Sequence, residues 1–174
     1  MVKSQPDVSV DMVVQMAPEL FQEKDYLDMR YFYRRAYFLA VIAVRIQKLL
    51  GAEFGLSYDL LNGNPLLPVL VLQPKADSDG SSEGESGQSQ GKSRGFIRII
   101  PCAPEGLFPT AKLVPTTCCN RPSKDDKSTL APTPFYNSTL KAESTFITYL
   151  RVLTRAKRDC PAFADACILG RIWL

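Results

Sequence analysis

Residues 25–50 constrain the fold more than any other stretch, because their apolar and basic side chains repeat with a helical period. At about 100° per residue the two kinds separate onto opposite faces, which predicts one amphipathic helix of roughly 39 Å. Asp25 with Asp28 resembles a capping box, and Gly51 is typical of a helix C-terminus. The apolar face, expected to pack on a sheet, holds Phe32, Arg35, Ala36, Leu39, Ala43, Ile46 and Leu50. The opposite face holds Arg30, Arg34, Tyr37, Val41, Arg45 and Lys48.

Composition narrows the chemistry that such a chain can perform. The 174 residues suffice for one domain, or one domain with part of another, and a hydrophobic content of 45% supports a packed core. The net charge of +3 is too small to predict a nucleic-acid partner by itself. The complete absence of histidine excludes Ser-His-Asp and Cys-His catalysis and every histidine-containing metal site.

Cysteine usage and hydropathy indicate the environment of the chain. Five cysteines with no Cys-x-x-Cys motif, two of them adjacent at positions 118 and 119, predict free thiols in a reducing compartment. The longest apolar run, residues 36–44, has nine residues, whereas a membrane-spanning helix needs about 20. We therefore expect no membrane partner.

The order of predicted elements indicates an α+β fold. Strands are predicted at residues 8–16, 66–72 and 96–101, with an extended segment at 53–61. Residues 75–95 are rich in serine, glycine and charge, which predicts a disordered insertion between two strands. A polar connector at 122–133 precedes a helix at 140–157 and a further helix after Pro161. We expect a mixed-sheet domain at 1–131 and the beginning of a helical domain at 132–174, truncated because its apolar face continues to the last residue.

Three stretches resemble the Nrap family of nucleolar RNA-associated proteins: residues 8–43, which contain KDYL, RYF and RAYFLA; residues 65–74, PLLPVLVLQP; and residues 132–174, which contain PTPFYN and CPAFADACILGRIWL. The resemblance implies a nucleotidyltransferase-like domain followed by a helical domain like that of poly(A) polymerases and oligoadenylate synthetases. It implies a nucleolar role in ribosomal RNA processing, in complex with other proteins of the small-subunit processome. It also implies that catalysis has been lost, so that no cofactor and no small-molecule substrate are expected.

The residues themselves give a reason for lost catalysis. Nucleotidyl transfer of this type uses two Mg²⁺ ions held by an Asp-x-Asp pair on one strand and a third acid on a neighbouring strand. The candidate pair here is Ser9-Val10-Asp11, in which a hydroxyl replaces one carboxylate. The polar position of the strand at 96–101 is Arg98, whose guanidinium would repel a metal ion. Asp11 is then either a strand-end polar residue hydrogen-bonded to a neighbouring loop or a residual metal ligand.

Two basic stripes are candidate RNA contacts, because arginines next to aromatic side chains can hold phosphates and stack bases. The alternative is a solvated helix face, or arginines paired with carboxylates at an interface. The first stripe lies beside Tyr33 and Tyr37 and comprises Arg30, Arg34, Arg45 and Lys48; the second comprises Arg151, Arg155 and Arg158.

The leading hypothesis is thus a non-catalytic scaffold that binds protein partners, with pre-ribosomal or small nucleolar RNA as a further partner. One alternative is an active Mg²⁺-dependent nucleotidyltransferase acting on RNA, with Asp11 and Glu105 among its acids. The other alternative is a non-functional gene fragment.

Overall fold

A computed structural model describes residues 9–75, 95–121 and 130–173. The described residues form four strands and three α-helices, which confirms the α+β class. In chain order they are β1 (Ser9–Gln15), α1 (Arg30–Leu50), β2 (Phe54–Leu60), β3 (Pro68–Pro74), β4 (Phe96–Cys102), α2 (Pro134–Asp159) and α3 (Phe163–Trp173). Residues 76–94 of the predicted insertion and residues 122–129 of the predicted connector lie outside the described residues.

The sheet is mixed, with strand order β1-β4-β3-β2. β3 pairs antiparallel with both β2 and β4, so it lies inside the sheet. This position explains its continuous apolar sequence, and Pro68 stands at its first residue, where a missing N–H is tolerated. Arg98 of β4 contacts Asp11, and farther along the N–H of Met16 donates to the carbonyl of Cys102 at 3.0 Å. β1 and β4 therefore run in the same direction.

The chain divides into two compact units. The first contains Met1–Val14 and Phe32–Pro101, and the second contains Gln15–Tyr31 and Cys102–Leu174. The predicted division of the sequence into domains at 1–131 and 132–174 stays a prediction, since compactness alone does not show where an evolutionary module ends.

The core of the first unit forms where α1 packs on the sheet. Leu39 and Ala43 of α1 contact a buried cluster of Leu70, Leu72 and Ile99. The register of β3 and β4 brings these sheet residues together, because Leu70 is opposite Ile99. The predicted apolar face of α1 is thus confirmed at its centre, where the side chains leave water.

Three members of that predicted face differ from expectation, and one of them is Leu50, which is 38% exposed at the last residue of the helix. Ala36 is exposed, since it lies at the margin of the face. Arg35 is fully buried, and its Nη1 donates a hydrogen bond of 2.6 Å to the carbonyl oxygen of Pro68. A charged residue is tolerated on this face because it binds the carbonyl at the start of β3 while its alkyl part fills the core.

The predicted N-terminus of α1 is wrong by five residues, because the helix begins at Arg30 and not at Asp25. Asp25 is fully buried and its carboxylate accepts a 2.9 Å hydrogen bond from the N–H of Gln22, three residues before it. It therefore stabilises the turn that precedes the helix.

Asp28 does not complete a capping box either. Asp28 and Met29 both have left-handed backbone, with φ of 56° and 61°, which cannot continue into a regular right-handed helix. The Asp28 carboxylate accepts a 2.7 Å hydrogen bond from the N–H of Arg121, and its own N–H donates to the carbonyl of Cys119 at 3.0 Å. The carboxylate and the N–H of Asp28, which a capping box would use, are therefore bonded to residues distant in sequence.

The N-terminus of α2 organises the second unit. The helix starts at Pro134 within the PTPFYN motif, six residues before its predicted start, and proline is well suited to a first helical position. The side-chain amide of Asn137 donates to the carbonyls of Val114 and Thr117 at 2.9 and 2.8 Å. The motif therefore ties α2 to the irregular chain before it.

Tyr136 of the same motif holds the left-handed segment. Its hydroxyl donates to the carbonyl of Tyr26 at 2.8 Å and accepts from the N–H of Met29 at 3.2 Å. Burial raises the pKa of this tyrosine, so the hydroxyl stays protonated and able to donate.

All five cysteines are free thiols, as predicted: Cys102, Cys118, Cys119, Cys160 and Cys167.

Replacing Tyr136 by phenylalanine tests this hydrogen-bonded connection. Tyr136→Phe leaves the N–H of Met29 and the carbonyl of Tyr26 without this partner in a buried site, so we expect the free energy of unfolding to fall by about 1–3 kcal/mol. Urea denaturation of the full chain measures the change. Tyr149→Phe is the matched control, because Tyr149 is on the same helix and 65% exposed. Equal stability of the two variants would contradict the role given to Tyr136.

Candidate functional site

The neighbouring strands β1 and β4 carry the residues predicted to form a degenerate catalytic site. Ser9 and Asp11 are two residues apart on β1, so their side chains share one face of the strand. Arg98 is on the neighbouring strand, β4. Its Nε lies 2.7 Å from Oδ1 of Asp11, and its Nη2 lies 2.7 Å from Oδ2. Asp11 and Arg98 therefore form a bidentate ion pair across the two strands, so the partner of Asp11 lies in a strand and not in the predicted loop.

This pair is partly open to solvent. The side chain of Arg98 is 28% exposed and that of Asp11 is 44% exposed. The hydrogen bond to Asp11 raises the pKa of the Arg98 guanidinium, and the charges of Asp11 and Asp59 act in the same direction. The Phe96 ring lies 6.0 Å below the guanidinium carbon, which limits the directions that the arginine can take.

The residues at this position do not fit a two-metal site. Both oxygens of the Asp11 carboxylate are engaged by the guanidinium, which a metal ion would have to displace. Ser9 offers a neutral hydroxyl in place of a second carboxylate. Within the ranges that the structure describes, no group of three or more His, Cys, Asp or Glu side chains is arranged to hold a metal ion. The arrangement favours a fixed contact between strands.

The first predicted basic stripe lies on the exposed side of α1. Arg30, Arg34, Arg45 and Lys48 are all exposed there. Tyr33 and Tyr37 lie beside them, with 70% and 73% of their surface exposed. The exposure of these residues agrees with the predicted basic face, and RNA binding by them stays a prediction.

The second predicted stripe, on α2, is engaged with carboxylates. Nη1 of Arg151 lies 2.5 Å from one oxygen of Glu105, while Thr148 donates to the other oxygen at 2.7 Å. These contacts lower the pKa of Glu105, and the hydrogen bond from Thr148 has the largest effect. Arg155 and Arg158 contact one aspartate at the end of the helix, at 3.3 and 3.4 Å. RNA binding by this stripe stays a prediction.

No helix among residues 9–75, 95–121 and 130–173 combines the length and hydropathy that a membrane crossing requires.

Several known proteins are similar in sequence to this chain over almost its whole length. The family model described as Nrap protein domain 1 matches residues 1–159. The chain is 31% identical over 172 residues to U3 small nucleolar RNA-associated protein 22 of Saccharomyces cerevisiae, which covers 95% of this chain. It is 32% identical over 180 residues to nucleolar protein 6 of Xenopus laevis and 28% identical over 177 residues to that of Homo sapiens, each covering 97% of the chain. The chain spans 14% of the length of each of these relatives.

A double-mutant cycle measures the strength of the β1–β4 ion pair. From Asp11→Asn, Arg98→Gln and the double variant, we expect a coupling energy of about 0.5–1 kcal/mol at low salt, because the pair is bidentate but partly exposed. The coupling should shrink at high salt, where exposed charges are screened. Urea denaturation provides the four stabilities.

The Arg155–Asp159 pair serves as the matched control, since its side chains are 77% and 55% exposed and should couple more weakly. A coupling for Asp11 and Arg98 no larger than in this control would show that the bidentate contact does not form in solution.

Proposed function

The chain belongs to the Nrap family, and on this premise we propose that it acts in ribosome biogenesis as a non-catalytic scaffold of the small-subunit processome in the nucleolus. Its relatives are named as a U3 small nucleolar RNA-associated protein and as nucleolar proteins, which supports this role and location. We infer that its sheet domain derives from a nucleotidyltransferase whose surface now binds other proteins.

Three features support the nucleotidyltransferase-like origin. The sheet is mixed and has α1 packed on it. Ser9 and Asp11 occupy alternate positions of one strand, as an Asp-x-Asp pair would. Arg98 stands on the adjacent strand, where the third acid of such a site is expected.

The observation that carries the proposal is the bidentate contact between Arg98 and Asp11. Two divalent ions about 3.5–4 Å apart need several carboxylate oxygens as ligands, free of competing cations. Here a permanent cation occupies the two oxygens of Asp11, and its pKa is raised by that contact, so it remains charged at any physiological pH. The ion pair joins β1 to β4, which is a structural contribution in place of a catalytic one.

The enzyme alternative requires other acids, of which Glu105 was the candidate. Its two carboxylate oxygens contact Thr148 and Arg151 in this chain. This engagement favours a role in holding α2 over a role in metal binding. The gene-fragment alternative predicts that the chain has no partners, which the second experiment below tests.

The first experiment tests the loss of nucleotidyl transfer. We expect no extension of labelled RNA when the chain is incubated with Mg²⁺ and nucleoside triphosphates. Titration calorimetry with Mn²⁺ complements this assay: Ser9→Asp combined with Arg98→Asp should bind the ion, because the cation is removed and carboxylates are added.

Ser9→Asn combined with Arg98→Asn is the matched control, since it removes the cation without adding charge and should bind no Mn²⁺. RNA extension by the unaltered chain that Asp11→Ala abolishes would overturn the pseudo-enzyme proposal.

The second experiment tests the place in ribosome biogenesis. We expect an epitope-tagged copy of the protein, expressed in the organism from which it comes, to lie in the nucleolus. It should also co-purify with U3 small nucleolar RNA. Spliceosomal RNA is the control. Recovery of the two RNAs in equal proportion, or a location outside the nucleolus, would contradict the proposal.

A further inference from the structure

The exposed side of α1 carries a continuous row of apolar side chains. Tyr33, Tyr37, Val41 and Val44 are 70%, 73%, 42% and 54% exposed. At about 100° per residue the four lie within an arc of roughly 80°, on the side opposite to the buried residue Leu39. From the first to the last, the row extends about 16 Å along the helix axis. We call these four residues the outer row.

The charged side chains that α1 places next to the outer row are all positive. Arg45 lies along one edge of the row, and Lys48 lies one turn beyond Val44; both are exposed, and we call these two residues the basic edge. The whole helix, RYFYRRAYFLAVIAVRIQKLL, contains no acidic residue. Solvated helix faces commonly mix both signs, which lets charges three or four positions apart stabilise one another. α1 lacks this internal compensation, so its edge is complementary to an acidic surface.

The spacing of the outer row matches the requirements of helix packing. Tyr33, Tyr37 and Val41 are four residues apart, and Val44 follows after three. Residues at these intervals form a ridge that fits the groove of a second helix. Tyrosine is also enriched in protein interfaces, where its ring is buried and its hydroxyl can remain hydrated.

The valines distinguish a protein from RNA as the occupant. Tyrosines and arginines suit both, because they stack on bases and contact phosphates as well as pack against proteins. Val41 and Val44 have no planar face on which a base can stack. They gain free energy mainly by contact with apolar side chains, which a partner helix supplies.

We propose that the outer row of α1 and its basic edge form a docking surface for an acidic amphipathic helix of a partner protein. Apolar residues of that helix cover Tyr33, Tyr37, Val41 and Val44. Its carboxylates face Arg45 and Lys48. This inference rests on the proposed scaffold function and specifies the kind of partner that the scaffold binds.

Peptide binding by the full chain tests the docking surface. The probe is a fluorescent synthetic peptide of about three helical turns, with leucines along one face and glutamates beside them. A counterpart has lysine in place of every glutamate, and a labelled oligouridine is the RNA probe. We expect the acidic peptide to bind, measured by anisotropy, and the lysine counterpart to bind far more weakly.

Two double variants separate the apolar and the charged contributions. Tyr37→Ser with Val44→Ser should weaken binding of the acidic peptide by at least about tenfold, because central apolar contacts carry most of the binding energy. Arg45→Glu with Lys48→Glu should weaken it by about tenfold and strengthen binding of the lysine counterpart. Tyr58→Ser is the matched control, since Tyr58 is 60% exposed on β2, and should leave the affinity unchanged. Circular dichroism verifies that each variant is folded.

Three results would overturn the proposal. One is acidic-peptide binding that neither double variant alters. A second is failure of the acidic peptide to bind at all. The third is oligouridine binding that both double variants reduce while peptide binding is absent, which would make the surface an RNA contact. The same Tyr37→Ser, Val44→Ser variant can be tested in cells for co-purification with U3 RNA. If it still co-purifies while any of these three results is obtained, only the docking surface is rejected and the scaffold function is retained.

Discussion

The packing of Leu39 and Ala43 against the sheet determines the rest of the first compact unit. Once these residues meet Leu70, Leu72 and Ile99, the rotation of α1 about its axis is fixed. The same rotation that buries one side turns Tyr33, Tyr37, Val41 and Val44 to the solvent. The core contact thus decides which of the many apolar residues of α1 stabilise the fold and which are available to a partner.

Beyond this core, an ion pair adds to the backbone hydrogen bonds between β4 and β1. Asp11 and Arg98 are directly opposed across two neighbouring strands, and each satisfies the other with two short hydrogen bonds. In a partly exposed site such a pair adds little stability, but it is specific in its geometry. A carboxylate held in this way is a poor ligand for a divalent ion. The residue types at positions 9, 11 and 98 therefore favour a structural contact between the strands over metal binding.

Much of the fold and the candidate site could be predicted from local patterns, and the errors have a common cause. The helix and the buried strand β3 follow from residue type and spacing, whereas Ser9, Asp11 and Arg98 are candidates through the family resemblance. The start of α1 was misplaced because Asp28 binds Arg121, which is 93 residues away. The α2 arginines could be placed on one helical face, but their carboxylate partner Glu105 is 46 residues from Arg151. No local pattern contains such pairings.

The sequence by itself determined which surfaces exist: one helix with an apolar and a basic side, a buried strand, and a strand with Ser9 and Asp11 on one face. Periodicity and residue chemistry are local properties, so the sequence suffices for them. Only the tertiary structure decided which charges meet. It joined Asp11 to Arg98, buried Arg35 against the carbonyl of Pro68 and paired Arg151 with Glu105. These outcomes depend on distances between segments that become neighbours only when the apolar side chains pack.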